Sequence, residues 1–262
     1  MEIALAALLG VVQGLTEFLP ISSSGHLRLM AAVFGIDEPQ SLFDICVHAG
    51  TLGAVLGVFG RTVWGVAKAI LTPTWTNPQF RLGVFLVIGT LPAGIIGITL
   101  GDLLETHLAS VTSVGIFLLV NGSLLQLSKD RGETGRGLEQ LTFKDAMTIG
   151  VAQSFALFRG ISRSGSTITA ALLIGIRRET AAEFSFLLSI PAIGGAVLLK
   201  MGDAITTDQV MPIPLFAGTA VAALSGYIAL RYLLRLVKNG KLHHFGWYCW
   251  VAGGLAIAVG VL

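Results

Sequence analysis

Two short stretches of this chain carry residues able to do chemistry, and both lie within apolar sequence. The first offers Gln13, Thr16, Glu17, Ser22, Ser23, Ser24, Gly25 and His26. The second offers Gln153, Arg159, Gly160, Ser162, Arg163, Ser164, Gly165, Ser166 and Thr167. Hydroxyls, glycines that let backbone N–H groups approach a ligand, and a planar guanidinium together make a cradle for phosphate. Gln13 and Glu17 are four residues apart and share one helical face. A carboxylate beside a phosphate cradle repels the ligand unless a cation intervenes. Mg²⁺ or Ca²⁺ on oxygen ligands from Glu17 and Gln13 meets that need.

Each residue also has a plainer use. Buried serines in membrane helices often bond a backbone carbonyl. Gly25 and Gly165 suit turns or close packing. His26 suits a cap or a buried hydrogen-bond partner, and Glu17 with Arg163 suits a structural ion pair. Ionisable groups at membrane depth are costly, however, and point first to function. Their recurrence in two similar stretches favours a site. Asp44 and His48, at the start of an apolar segment, read as interfacial residues. Asn121 and Gln126 read as bonds between helices, and Glu183 as the opening residue of a helix.

The surroundings explain why such residues stand out. The chain has 262 residues, 53% hydrophobic and 12% charged, with a mean hydropathy of +0.80. A soluble domain has about a quarter of its residues charged. The reading is a single membrane domain over 1–262, all α, with the first apolar stretch kept in the mature protein. Cys46 and Cys249 lie in apolar segments and read as small buried hydrophobes.

Six segments approach the roughly 20 apolar residues a spanning helix needs: about 43–62, 82–101, 111–128, 183–201, 213–235 and 246–262. Four others are too short or too polar: 3–18, 23–35, 145–158 and 164–176. Those four pair into two re-entrant helical hairpins with polar tips, making ten helices in all. Irregular backbone of that kind survives at membrane depth only inside protein or beside a water-filled cavity.

Charge supports this count. With six spans and two non-crossing hairpins, the loops at 61–81, 129–144, 177–182 and 231–245 share one side. They hold 13 of the 17 Lys and Arg residues. The opposite loops carry Asp37, Glu38, Asp102, Glu105, Asp203 and Asp208, with Lys200 as their one cation. The basic side is the cytoplasmic one, which places both termini outside. The basic residues line membrane loops, and no nucleic-acid partner is expected.

The two stretches are copies. Laying Gly10–Leu27 over Gly150–Thr167 gives eight identities in 18 positions at a constant offset of 140 residues, among them Gln13/Gln153, Ser22/Ser162, Ser24/Ser164 and Gly25/Gly165. Repeat one covers about 1–129 and repeat two about 141–262, joined by a cytoplasmic loop at about 130–140. A hairpin plus three spans is an odd number of crossings, so the second copy is inverted. Inverted repeats with broken helices place their site at the midplane, where the half-helix ends meet. The two Ile-Ser-x-Ser-Gly tips would then face each other, with two helix N-termini directed at the same space.

At these residues the sequence resembles the undecaprenyl-diphosphatase family of the bacitracin-resistance type. Gln13-Gly-Leu-Thr-Glu17-Phe-Leu-Pro-Ile-Ser-Ser-Ser-Gly-His26 resembles its (Glu/Gln)-x-x-x-Glu motif and Ser-rich Gly-His end. Gly160-Ile-Ser-Arg163-Ser-Gly165-Ser-Thr-Ile resembles its Pro-Gly-x-Ser-Arg-Ser-Gly motif, and Glu183–Pro191 is also family-like. The resemblance implies hydrolysis of undecaprenyl diphosphate to the monophosphate carrier lipid, serving cell-wall synthesis and bacitracin resistance. It further implies a bacterial inner-membrane enzyme, a divalent cation, an active site open to the periplasm and a homodimer. Carried over by position, Glu17 is the essential acid, Ser23 the proposed nucleophile, His26 the motif histidine and Arg163 the phosphate-binding arginine. Gln13, Ser22, Ser24, Gly25, Ser162, Ser164, Gly165 and Thr167 complete the phosphate-binding set. Arg159 stands where the family usually has proline.

Two rival readings follow from the residues. The inverted repeat also suits a flippase of undecaprenyl phosphate or another anionic lipid. Ser24-Gly25-His26 hints at an acid-phosphatase type of enzyme, which also needs a histidine with Asp four residues later; none of the five histidines has one.

Overall fold

A computed structural model describes residues 1–36, 41–204 and 213–261. Asp37, Glu38 and Asp208, counted above among the acidic loop residues, lie outside the described residues. Among the described residues there is no strand, and ten α-helices follow in order: α1 Ile3–Phe18, α2 Ser23–Phe34, α3 Ser41–Leu71, α4 Pro78–His107, α5 Val111–Gln126, α6 Phe143–Ser154, α7 Arg163–Leu173, α8 Arg178–Ala204, α9 Ile213–Lys238 and α10 Phe245–Val261.

Local chemistry sets many of the boundaries. Asn77 caps α4 by accepting from the Gln79 N–H at 2.9 Å, and Pro78 takes the first turn, where its missing N–H costs nothing. Thr142 and Asp145 form a reciprocal capping box on α6. Ser22 and Ser162 cap α2 and α7. Inside the long helices, α3 bends at Phe59, whose backbone leaves helical geometry. The prolines Pro92 and Pro191 sit within α4 and α8. Helix α8 begins at Arg178, so Glu183 falls in its second turn rather than opening it.

Among the described residues, four helices are long and apolar enough to cross a membrane: Leu42–Leu71, Pro78–Gly101, Arg178–Leu198 and Ile213–Lys238. The other two segments expected to span are helices too, but α5 has 16 residues and α10 has 17. Helix α5 stops at Gln126, short of the apolar segment expected to 128, while α10 is as long as the segment expected there. Large apolar side chains cover the outside, with Ile98 and Phe216 more than two-thirds exposed. In water that surface would be a liability; facing lipid it is the expected exterior.

The two hairpins, α1–α2 and α6–α7, each pack one face against the long helices and leave apolar side chains such as Leu8, Val33 and Val151 exposed. Helix α1 lies along α9 and α6 along α4, while α5 packs on α10 and α3 on α8. Gly10 of α1 lets the α9 backbone come so close that a Cβ would stand 2.4 Å from the Gly218 carbonyl oxygen. Gly150, its counterpart 140 residues on, does the same against Gly89 of α4. Phe18, Ile149, Ile168, Phe184 and Phe186 fill the space beneath the tips.

Candidate active site

The first tip is the turn between α1 and α2, and the second is the turn between α6 and α7. They touch. Gly160 donates its N–H to Ser22 Oγ at 3.0 Å, and Ser164 Oγ donates to the Phe18 carbonyl at 2.9 Å. Asn121 of α5 clamps both, donating to the Pro20 carbonyl at 2.8 Å and accepting from the Ser162 N–H at 2.9 Å. Asn121 and Gln126, which reaches the His243 carbonyl at 3.0 Å, thus bond between elements as expected.

Glu17 is the hub. It lies in the last turn of α1 and is 8% exposed. Arg163 Nη2 donates to its Oε1 at 2.6 Å. Ser23 Oγ donates to Oε2 at 2.7 Å, and Gln13 Nε2 donates to the same oxygen at 3.2 Å. Three residues proposed from sequence, Arg163, Ser23 and Gln13, therefore converge on the Glu17 carboxylate. The second guanidinium nitrogen, Arg163 Nη1, is buried with no hydrogen-bond partner. Leaving such a donor unsatisfied costs about 1–3 kcal/mol, so it is the natural seat for an anionic oxygen.

The other tip hydroxyls are committed elsewhere. Ser22 Oγ accepts from the N–H groups of Gly25 at 3.3 Å and Gly160 at 3.0 Å, and lies 3.4 Å from Ser24 Oγ. Ser162 Oγ accepts from the Gly165 N–H at 3.1 Å. Thr167 Oγ1 reaches the Arg163 carbonyl at 2.8 Å and Ser185 Oγ at 2.5 Å. Ser22 holds φ 71°, a region an L-residue enters at a cost, and Gly160 holds φ 118°. Strain of this kind persists where surrounding contacts enforce it, and it gathers at functional sites.

His26 is placed apart from the carboxylate. Its Nδ1 bonds the Ser22 carbonyl at 2.8 Å and its Nε2 meets the Tyr248 hydroxyl at 2.7 Å, with the two rings stacked at 5.7 Å. Because a carbonyl only accepts, Nδ1 carries the proton and Tyr248 donates to Nε2. His26, Thr16 and Ile21 line an apolar cavity of about 890 Å³ between the first hairpin, α9 and α10. Nothing in the sequence marked Tyr248, which is 222 residues from its partner.

His48 corrects the reading of it as interfacial. Helix α3 brings its Nε2 to 3.8 Å from Glu17 Oε2, while Nδ1 bonds the Asp44 carbonyl at 2.7 Å. The signal available was the four-residue spacing from Asp44, but only tertiary packing tells which way such a face turns.

Among the described residues no group of three His, Cys, Asp or Glu side chains could hold a metal ion. The donor set at the tips is smaller: the Glu17 carboxylate, and Gln13 Oε1, which is buried without a hydrogen-bond partner. One carboxylate and one amide oxygen fit a cation that takes most of its oxygens from a bound phosphate group.

Comparison with known proteins agrees with the motifs. The family model described as bacitracin resistance protein BacA matches residues 6–255. The chain belongs to the BacA family. It is 42% identical over 264 residues to a protein of Desulfatibacillum aliphaticivorans named undecaprenyl-diphosphatase, covering 95% of this chain and 96% of that one. Proteins of the same name from Halothermothrix orenii and Geobacter sulfurreducens are 43% and 42% identical, each alignment covering 98% of both chains.

Proposed function

We propose that this BacA-family chain hydrolyses undecaprenyl diphosphate to undecaprenyl phosphate and inorganic phosphate, recycling the carrier lipid for cell-wall synthesis and giving bacitracin resistance. The observation that carries this reading is the buried Glu17 carboxylate. It holds a serine hydroxyl on one oxygen and an arginine on the other, and the arginine has a second buried N–H group left over. The names of full-length relatives supply the substrate.

In this reading the terminal phosphate sits against Arg163 Nη1 and the tip N–H groups. Glu17 takes the proton of Ser23 as Oγ attacks the terminal phosphorus. The bond from phosphorus to the bridging oxygen breaks, undecaprenyl phosphate leaves, and water then releases phosphate from the serine. Phosphoryl transfer rewards positioning and charge stabilisation of this kind. A divalent cation held by Glu17 and Gln13, Mg²⁺ or Ca²⁺, would offset diphosphate charge. His26, facing the apolar cavity, is placed to serve the leaving phosphate rather than Ser23, and the cavity suits the polyprenyl chain.

The proposed setting is an inverted repeat of six spans and two re-entrant hairpins in a bacterial inner membrane. The site opens to the periplasm, both termini lie outside, and two copies form a dimer. The paired packing of α1 on α9 and α6 on α4 supports the repeat. The basic loops support the orientation. Lipid transport gains no support from the relatives, which carry a diphosphatase name.

The test is phosphate release by the purified protein from C55 and shorter prenyl diphosphates, with EDTA and metal add-back. Release that EDTA stops and metal restores is expected. No release, together with lipid transfer across liposomes that survives Glu17→Gln, would replace this reading with transport.

A further inference from the structure

We propose that Tyr248 is a positioning residue for the hydrolysis: its hydroxyl holds the His26 imidazole beside the apolar cavity and keeps Nε2 turned to the place where the leaving phosphate lies. This rests on the diphosphatase reading, which puts the lipid end of the substrate in that cavity.

Tyr248 stands on a rigid support. Phe245, Tyr248, Ala252, Leu255, Ala256 and Val259 of α10 line the cavity. Their spacing of three and four residues makes one helical face, and Tyr248 supplies its hydroxyl. The α10 backbone approaches α5 so closely that a Cβ on Gly122 would stand 2.8 Å from the Gly246 carbonyl oxygen. Trp250 Nε1 donates to the Leu119 carbonyl of α5 at 3.2 Å. Cys249, the next residue after Tyr248, is fully buried and lies 3.8 Å from the Pro20 carbonyl oxygen, which Asn121 also holds. Helix α10 is thus set in register against the tip that carries His26, as precise placement of a functional side chain requires. Trp247, on the other side of Tyr248, is 64% exposed and suits a lipid-facing aromatic. Tyr248 turns to the cavity instead.

Three contacts bear on the imidazole, and they differ in what they can do. Nδ1 donates to the Ser22 carbonyl at 2.8 Å, a bond within its own turn. That carbonyl also accepts the His26 amide N–H, at 3.1 Å. The phenol ring stacks on the imidazole with 5.7 Å between centroids and 16° between planes. The third contact, Tyr248 Oη to Nε2 at 2.7 Å, engages the far nitrogen. A hydroxyl suits that place because it both donates and accepts. It donates to Nε2 of the neutral ring and accepts from the Nε2–H of the protonated ring. The ring therefore keeps one orientation through a change of charge, which an acceptor-only carbonyl or a donor-only ammonium on α10 could not ensure. As a tie for the fold the bond is a minor one, since a neutral hydrogen bond contributes about 0.5–1.5 kcal/mol net.

The test uses the purified full-length protein in mixed micelles with farnesyl diphosphate as substrate. Tyr248→Phe keeps the stacked ring and removes the hydroxyl. Its kcat is expected to fall about tenfold with KM changed by less than about twofold, a smaller loss than the roughly 10²-fold expected of His26→Gln. Added to His26→Gln, Tyr248→Phe should cost nothing more, because a residue that acts through the imidazole then has nothing left to place. A tie that is only structural would lower kcat in both backgrounds alike. ¹⁵N spectra of histidine-labelled protein read the bond without turnover. The His26 Nε2 resonance, assigned by its loss in His26→Gln, should move in Tyr248→Phe and stay in Tyr227→Phe, whose hydroxyl bonds Arg231 at 2.9 Å. An unchanged kcat in Tyr248→Phe, an unmoved Nε2 resonance, or an equal further loss in the double variant overturns the proposal. Phosphate release with an unmoved resonance sinks Tyr248 alone. No release by the wild type, with the resonance moving as expected, sinks the diphosphatase reading and the role in hydrolysis with it.

Discussion

Offset by 140 residues, Ser22 and Ser162 cap their helices in the same way, yet only Ser22 does so with a positive φ, at 71°. The contrast runs through both tips. Glu17 has Leu157 as its counterpart, and Ser23 has Arg163. His26 and Ser166 both bond back to the carbonyl of their capping serine, at 2.8 and 2.9 Å. Gln13 lies against Glu17, whereas Gln153 leans 3.4 Å from the Gly89 carbonyl with its own Oε1 unpartnered. The two stretches share a capping pattern, and their chemistry-bearing residues differ. Ser23 and Arg163, equivalent by repeat, arrive at the two oxygens of one carboxylate from opposite sides. A site with a carboxylate on each tip would place two negative charges beside a diphosphate. The asymmetry avoids that.

The largest expected effect breaks this division outright. Arg163→Ala should lower kcat/KM for prenyl diphosphate hydrolysis on the order of 10²–10³-fold, since it removes the donor set for the transferring phosphate. It also strands Glu17 as a buried charge, so Arg163→Lys is the companion variant. Lys keeps the charge but not the planar fork, and should retain the fold with only part of the activity. Full activity in both variants would remove Arg163 from the chemistry. Next comes the first tip. Ser23→Ala should cost a similar factor and abolish any phosphoserine trapped by rapid acid quench. A phosphoenzyme that survives in Ser23→Ala would move the nucleophile elsewhere, and His26 would be the place to look.

Much of this was legible in the chain because the signals were local. Helices were expected to follow both Ser-Gly turns, and α2 and α7 do, capped by Ser22 and Ser162. The four-residue spacing of Gln13 and Glu17 gives their shared face. The repeat implied that the tips meet, and Asn121 in apolar sequence implied a partner. What was not legible depends on long-range packing. His48 looked interfacial because nothing in α3 tells which neighbour its polar face meets. Tyr248 sits in a run of aromatics that reads as membrane surface. The φ of Ser22 follows from Gly160 and Asn121 gripping the turn, not from the local sequence. The length of α5 was overread because apolar sequence continues past Gln126, where the helix ends.

A smaller effect sharpens the comparison of the caps. Ser22 Oγ satisfies two amides, those of Gly25 and Gly160, and Ser162 Oγ satisfies one, that of Gly165. Ser22→Ala should therefore destabilise the protein more than Ser162→Ala, by about 1 kcal/mol for the extra orphaned N–H. Unfolding in mixed micelles, followed by helical circular dichroism, would measure both. Equal losses would mean that the Gly160 contact contributes little to joining the tips.

The smallest effect concerns how each hairpin is tethered at its base. Arg136 grips Asp145 with two N–H groups, at 2.6 and 2.8 Å, and bonds the Ile174 carbonyl at 3.0 Å. This straps the loop before α6 to the end of α7. The counterpart of Asp145 in the first hairpin is Leu5, which can form no such strap. Asp145 lies at the first turn of α6, outside the spanning helices. Burial alone would raise its pKa, but Arg136 and Thr142 outweigh that and hold it below the usual carboxylate range. An unfolded Asp titrates near about 3.9, so the strap's contribution is complete above that pH and is lost as pH falls through the lower folded value. The stability gap between wild type and Asp145→Asn should stay constant from about pH 7 to about pH 5 and shrink below about pH 4. Leu5→Ala should show no such pH dependence. A gap that did not change on acidification would mean that the second hairpin is held by its apolar packing alone, as the first one is at its base.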